Sequence, residues 1–153
     1  MEKFQLLPFK QEYKVHFENL NKAWLDKYFS VEPIDRWVLE NPEEAILKEG
    51  GKIFFVSYQK KIIGTVALKR VDDKVYELTK MAVDSNYQGI GAGKFICSAA
   101  IEEAMKLDAS KLILYSTTSL KPAIGLYKQL GFSEIPLDTK YARADIKMEI
   151  ILK

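Results

Sequence analysis

The sequence predicts an α/β (α+β) fold, a mixed and mostly antiparallel central sheet of about six or seven strands flanked by helices. Three observations carry that expectation. Strand-like segments separated by tight turns follow one another between residues 52 and 83, which argues for antiparallel hairpins. The pattern then becomes helix, strand, helix, strand, and a strand-helix-strand unit in one sheet demands a parallel crossover. Apolar and aromatic residues run through all 153 residues, enough for one core, so a single domain over residues 1–153 is expected.

The elements follow in order. Phe4 to Phe9 is a short apolar run containing Pro8 and reads as a first strand. From Gln11 the period changes: Tyr13, Phe17, Leu20 and Trp24 recur at helical spacing and give a first helix one apolar face. After the link Asp26 to Ser30, a second short helix starts near Pro33, since proline suits a first turn. It stops before Asn41-Pro42, where the residue preceding proline disfavours helix. Lys52 to Gln59, Ile62 to Lys69 and Val75 to Val83 read as strands, with turns at Lys60-Lys61 and Asp72-Asp73. Asp84 to Gly93 is a glycine-rich connection into a helix from about Gly91 to Leu107, with Ile96, Ala100, Ala104 and Leu107 on one face. Lys111 to Tyr115 is a buried strand, Pro122 opens a further helix that Gly131 closes, and Ala144 to Leu152 is the last strand.

Composition excludes several function classes. Hydrophobic residues make up 48% and charged residues 29%, an ordinary soluble balance. A formal net charge of +2, with lysines spread rather than blocked, argues against a nucleic-acid partner. Cys97, the single cysteine, lies in the apolar stretch Phe95-Ile96-Cys97 and reads as a packing residue rather than a nucleophile. His16, the single histidine, sits beside Phe17 on the first helix and reads as structural. One His and one Cys cannot make a Cys-His zinc cluster or a His-rich site, so no metal is expected. No Gly-x-Ser-x-Gly elbow supplies a serine nucleophile. Met1-Glu2-Lys3 opens no long apolar run, and no stretch approaches the roughly 18 apolar residues of a membrane span. A soluble, cytoplasmic protein with no membrane partner is therefore expected.

The chemistry-bearing motif is Gln88-Gly89-Ile90-Gly91-Ala92-Gly93, between a strand and a helix. A helix N-terminus offers unpaired N–H donors and a partial positive charge, and glycines let an anion approach the main chain. Lys94 adds charge in the first turn. By itself the run is either an anion site, for a phosphate or pyrophosphate, or a structural turn with a glycine cap. Two phosphate loops fail on register. Gln88 replaces the first glycine and Phe95 the hydroxyl residue of a magnesium-nucleotide loop, and Lys94 replaces the last glycine of a dinucleotide fingerprint starting at Gly89.

What matches is Gln/Arg-x-x-Gly-x-Gly/Ala, which resembles the pyrophosphate loop of the GNAT superfamily of N-acetyltransferases. Upstream, Leu78 to Asp84 is similar to that family's fourth strand. Downstream, Pro122 to Phe132 is similar to its Ala-x-x-x-Tyr-x-x-x-Gly-Phe element. The element order agrees as well. These motifs span roughly residues 77 to 132, while the N-terminal third resembles the family in outline alone.

The resemblance implies a GNAT-like fold in which a β-bulge splays the fourth strand from the fifth, so that Met81, Ala82 and Val83 hold the pantetheine arm through their main chain. It implies acetyl-coenzyme A as acyl donor, gripped at its pyrophosphate by Gln88 to Lys94. Tyr127 matches the general acid that protonates the departing thiolate; on spacing alone it is a core aromatic. Glu77, on the strand alternation of Thr79 and Met81, matches the catalytic glutamate of some relatives and is the candidate base; its plain alternative is an exposed strand glutamate paired with a lysine. Many relatives carry an asparagine before the last motif. Here Thr117-Thr118-Ser119-Leu120-Lys121 has none, and Ser119 or Thr118 stands in its place. The acceptor is expected between Trp24 to Asp35, with Tyr28, Phe29, Glu32 and Asp35, and the segment holding Tyr141, Arg143 and Asp145; taken singly, these residues read equally as a capped helix and a charged turn. The expected reaction is direct attack by an amine-bearing acceptor, with a noncatalytic acyl-coenzyme A sensor as the alternative. A homodimer through the C-terminal strands is also implied.

Overall fold

The computed structural model describes residues 3–153. In chain order the elements are β1 (Phe4–Pro8), α1 (Lys14–Tyr28), α2 (Pro33–Glu40), β2 (Lys52–Tyr58), β3 (Lys61–Arg70), β4 (Val75–Val83), α3 (Ala92–Lys106), β5 (Lys111–Ser116), α4 (Lys121–Gln129), β6 (Ser133–Ile135) and β7 (Ile146–Ile151). Single helical turns at Gln11–Tyr13, Glu43–Leu47 and Ser85–Tyr87 join them. The strands form one 7-stranded sheet in the order β1-β2-β3-β4-β5-β7-β6. All neighbours are antiparallel except β4 and β5, which the α3 crossover makes parallel.

Two apolar clusters lie on the two faces. One holds Val66, Leu68, Leu78 and Leu112 of the sheet with Ile96, Cys97, Ala100 and Ala104 of α3 and Ile124 and Tyr127 of α4. The other holds Phe55 and Ala67 of the sheet with Phe17 and Leu25 of α1, Leu39 of α2 and Ile46. In α1 the buried line is Phe17, Asn21 and Leu25. Asn21 is tolerated there because its amide donates to the Phe17 carbonyl at 3.0 Å. Leu20 and Trp24, expected on the same stripe, flank it.

Local rules account for most boundaries. Asp72 closes the β3–β4 turn by accepting from Lys74 N at 2.8 Å and Val75 N at 2.9 Å. The C-terminus of α4 is a Schellman motif: Phe132 N donates to the Tyr127 carbonyl (3.0 Å) and Gly131 N to that of Lys128 (3.1 Å), with Gly131 at φ 110°. The Tyr127 and Phe132 rings meet edge-on at 5.9 Å, so the Tyr-x-x-x-Gly-Phe run is a helix stop as well as a motif. The β2–β3 turn falls at Gln59-Lys60 rather than Lys60-Lys61, because both turn residues take positive φ (50° and 67°), as a tight hairpin of this twist requires. β6, three residues long, is too short to show an alternation and was not anticipated as a separate segment.

The alternation expected through β4 is broken. Thr65 pairs with Ala82 but Ala67 with Thr79, so Val66 faces both Lys80 and Met81, a β-bulge with Lys80 at φ 54°. Glu77 and Thr79 stay on the α1/α2 side with Ala67, while Met81 and Val83 pack with the α3/α4 cluster. Met81 therefore does not share Glu77's face.

Among the described residues no helix is long and apolar enough to cross a membrane. Gly51 fixes the turn into β2: an added Cβ would lie 2.6 Å from the Leu68 carbonyl oxygen and 2.7 Å from that of Ile46. Gly51→Ala is expected to lower stability in urea unfolding by about 1–3 kcal/mol, the usual range for an overpacked site. A loss below about 0.5 kcal/mol, within the ordinary scatter of surface substitutions, would show that this turn is not tightly packed.

Candidate active site

β4 and β5 are paired only from Val75/Lys111 to Glu77/Ile113. Beyond that point β4 continues to Val83 against β3, and β5 continues to Ser116 against β7. The bulge turns β4 away where the pairing ends. The strands part into a cleft. Past Glu77/Ile113 the β5-facing edge of β4, which passes Met81, Ala82 and Val83, has no strand partner among the described residues, and a main-chain group on that edge needs a hydrogen-bond partner from elsewhere.

At the far end of β4, Asp84 caps a short turn by accepting from Asn86 N at 2.9 Å, and the chain reaches exposed Gln88. Gly89 and Gly91 take φ 81° and 92°, and a Cβ added at either would meet nothing within 4 Å. The glycines answer to backbone conformation, and the space before them is open to a ligand. Gly91 is the N-cap of α3, and its carbonyl accepts from Phe95 N at 3.1 Å. The N–H groups of Ala92, Gly93 and Lys94 start the helix without an intrahelical acceptor. Lys94 is exposed, and Ile90 packs on the α3/α4 cluster. One cation escaped the sequence reading: Lys3 donates to the Ile90 carbonyl at 2.8 Å, from 87 residues away. No local pattern marks such a contact.

Tyr127 lies in the α3/α4 cluster with Met81 and Val83 and is 7% exposed. Burial, and then Cys97, raise its pKa, so it holds its proton. No side-chain hydrogen bond is made by its hydroxyl among the described residues, yet no buried side-chain oxygen there lacks a partner, so the oxygen reaches open space. Cys97 is fully buried, and burial pushes its thiol up to about 12.

Glu77, at the last β4–β5 pair, is 1% exposed and paired with a lysine, though buried where an exposed pair was the alternative. Its carboxylate accepts from Lys140 Nζ at 2.9 Å and from the Tyr141 hydroxyl at 2.9 Å. These donors stand in for water and make the buried charge tolerable. Burial, then Glu77 itself, raise the Tyr141 pKa, so the phenol stays a donor. Tyr141 stacks edge-on against Tyr115 at 4.9 Å. Lys147 Nζ, the Lys140 backbone N–H and the Tyr115 hydroxyl donate to Asp138, and these bonds, that of Lys147 foremost, hold its carboxyl near pKa 2.

The two segments expected at the acceptor side do meet. Arg143 binds buried Asp35 at 2.6 Å, lies 3.7 Å from Glu32 and stacks over the Phe29 ring at 5.3 Å. Asp35 also caps α2 by accepting from Glu32 N at 3.0 Å. A cavity of about 400 Å³ opens beside α1, lined by Leu20, Trp24, Tyr28, Val83 and Gln88 among others. Asp145 is not at this cluster; it holds the β5–α4 connection by accepting from Thr118 N (2.7 Å) and Oγ1 (2.8 Å). With Thr118 so engaged, Ser119 is the exposed hydroxyl left in that connection.

The family described as the acetyltransferase (GNAT) family matches residues 13–132. The N-acetylaspartate synthetase of Xenopus tropicalis is 36% identical over 95 residues, which cover 61% of this chain and 35% of that protein. The chain thus spans about a third of the length of such curated relatives. An acetyltransferase of the GNAT family from Staphylococcus aureus Mu50 superposes with a TM-score of 0.86 at 23% identity, over 98% of this chain and 99% of that one. A spermidine N-acetyltransferase from Vibrio cholerae, solved with CoA and spermine, gives 0.76 at 20% identity, over 97% and 95%.

The Cys97 environment makes a direct prediction. At pH 8 the native protein is expected to resist iodoacetamide by mass spectrometry and to be alkylated once unfolded in guanidinium. Rapid labelling of the native state would contradict the burial of this thiol.

Proposed function

This chain belongs to the acetyltransferase (GNAT) family, and we propose from that premise that it is an acetyl-coenzyme A dependent N-acetyltransferase. In this reading it moves an acetyl group to a primary amine by direct attack in a ternary complex. One observation carries it: the β4–β5 cleft runs out of the sheet beside the same strand end that leads, through Gly89 and Gly91, to the open N-terminus of α3. One continuous main-chain surface thus suits an amide-bearing arm ending in a pyrophosphate.

Gln88, Gly89, Ile90, Gly91, Ala92, Gly93 and Lys94 form the pyrophosphate end, the first-turn N–H groups donating to phosphate oxygens and Lys94 adding charge. Met81, Ala82 and Val83 bind the arm through backbone groups. The bound thioester supplies an activated acyl carbon. Tyr127, kept neutral by burial, gives its proton to the thiolate that leaves. Glu77 receives the proton of the incoming amine. Here the Lys140 ammonium, on a half-exposed side chain, marks the place an acceptor's ammonium takes against that carboxylate. The side chains of Trp24, Tyr28 and Phe29 bound the acceptor's approach.

The same reading treats residues 1–153 as a single domain carrying donor and acceptor sites, in a cytoplasmic setting that suits the unpaired Cys97 thiol. A homodimer through the C-terminal strands is part of it, supported by the exposed Ile151 side chain on β7.

Gly91→Val is expected to weaken coenzyme A binding by about 10-fold or more in calorimetry while circular dichroism stays native, since it narrows the phosphate approach and strains a left-handed residue. Unchanged affinity would remove the loop from the site. Tyr127→Phe and Glu77→Gln are each expected to lower kcat by about 100-fold or more with coenzyme A affinity retained. Full turnover by either variant would reassign that role; binding without turnover on any amine, in the parent protein, would favour a sensor.

A further inference from the structure

We infer that the acceptor is an amine that also carries a carboxylate, and that Lys80 is the residue that selects it. The inference rests on the acetyltransferase reading and names the substrate class for that site.

Lys80 is the bulge residue of β4, held at φ 54° opposite Val66. A side-chain-bearing residue in the left-handed region is unusual, and bulges commonly serve to re-aim one side chain. In register it shares the place opposite Val66 with Met81. The charges that bear on its ammonium, however, are Asp35, Glu77, Arg143 and Lys69, of which Glu77 and Lys69 are cross-strand partners on the α1/α2 side. It adjoins the stretch Met81 to Val83 and lies at the end of the cleft opposite the glycine turn.

Every acid in that cluster already has a cation. Glu77 has Lys140 and Tyr141, and Asp35 and Glu32 share Arg143. Lys80 is different. It is half-buried, yet among the described residues it makes no ion pair and no side-chain hydrogen bond. Burial lowers its pKa while Asp35 and Glu77 pull the other way, the mark of a cation desolvated without a contact partner. A half-buried ammonium is costly unless a counter-charge meets it, and a substrate carboxylate is such a group. A polycation brings Lys80 no counter-charge, and each ammonium beyond the one that takes Lys140's place at Glu77 would have to displace a further cation from these acids.

Glu77 and Lys80 are three positions apart on one strand, carboxylate first and ammonium second, and the inserted residue breaks the alternation that would set them on opposite faces. A short amino acid complements that order: its amine goes to Glu77 and its carboxylate to Lys80. No bond is made or broken at Lys80; its role is to choose and to orient.

The test is a kinetic panel on the full chain. Acceptors are α- and β-amino acids, their carboxamides, the corresponding decarboxylated amines, and polyamines, each assayed by thiol release from acetyl-coenzyme A. For the parent protein, kcat/KM for the best amino acid is expected to exceed that for its carboxamide by about 10- to 100-fold, the worth of one charged hydrogen bond. Lys80→Met is expected to collapse that ratio toward one, mainly through KM, and Lys80→Arg to restore part of it. Coenzyme A affinity and the native circular dichroism of both variants, measured in parallel, guard against a folding effect. A preference for amines without a carboxylate, no turnover of any carboxylate-bearing amine while coenzyme A still binds, or a ratio untouched by Lys80→Met would each overturn the inference. Failure to bind coenzyme A at all would instead undo the reading beneath it.

Discussion

The site depends on one irregularity, the extra residue in β4 opposite Val66. A regular β4 would run beside β5 to its end, and the hydrogen bonds now left over would close within the sheet. In the bulged strand that pairing ends at Glu77/Ile113, three residues before the insertion. This arrangement leaves strand edges that must find partners elsewhere, and it places those edges on the approach to the N-terminus of α3. The groups proposed to bind the donor are mostly main chain, so the sequence there is constrained by conformation more than by side-chain chemistry. Gly89 and Gly91 illustrate this: each sits at positive φ with open space before it, and neither packs against the protein.

The bulge also divides the labour between the two faces. Below β4, toward α3 and α4, lie Met81, Val83, Tyr127 and Cys97 in a cluster with few polar atoms. There a phenol keeps its proton and a thiol is silenced, both through burial. Above β4, toward α1 and α2, the same strand presents Glu77, Thr79 and Lys80 to a set of compensated charges: Lys140, Tyr141, Arg143 and Asp35. A dry face suits proton donation to a leaving thiolate, and a charged face suits recognition of a polar acceptor. The two meet at the cleft.

Much of the fold was legible because it follows local rules. Pro33 and Pro122 open helices, Asp72 folds a turn with its carboxylate, and Gly131 ends α4 in the Schellman geometry. The glycine turn announced an anion site for the same reason: positive φ and free N–H groups are written in residue type and order. The rest was not legible because it depends on register or distance. Alternation placed Glu77 and Met81 on one face, and one inserted residue separated them. The turn at Gln59-Lys60 carries no glycine or asparagine to mark its positive φ. Lys140 reaches Glu77 across 63 residues from a stretch without regular structure, and Arg143 reaches Asp35 across 108. Such pairings emerge once the C-terminal segment folds back over the sheet.

The central claim is that main-chain groups of β4 and α3 hold coenzyme A, and amide chemical shifts measure it most directly. Titrating the isotopically labelled protein with coenzyme A should move the N–H resonances of Met81 to Val83 and of Gly89 to Lys94, and slow their hydrogen exchange, with smaller changes at β1 and β2. Shifts confined to the α1 cavity or to the C-terminal strands, with residues 81–94 silent, would contradict the account.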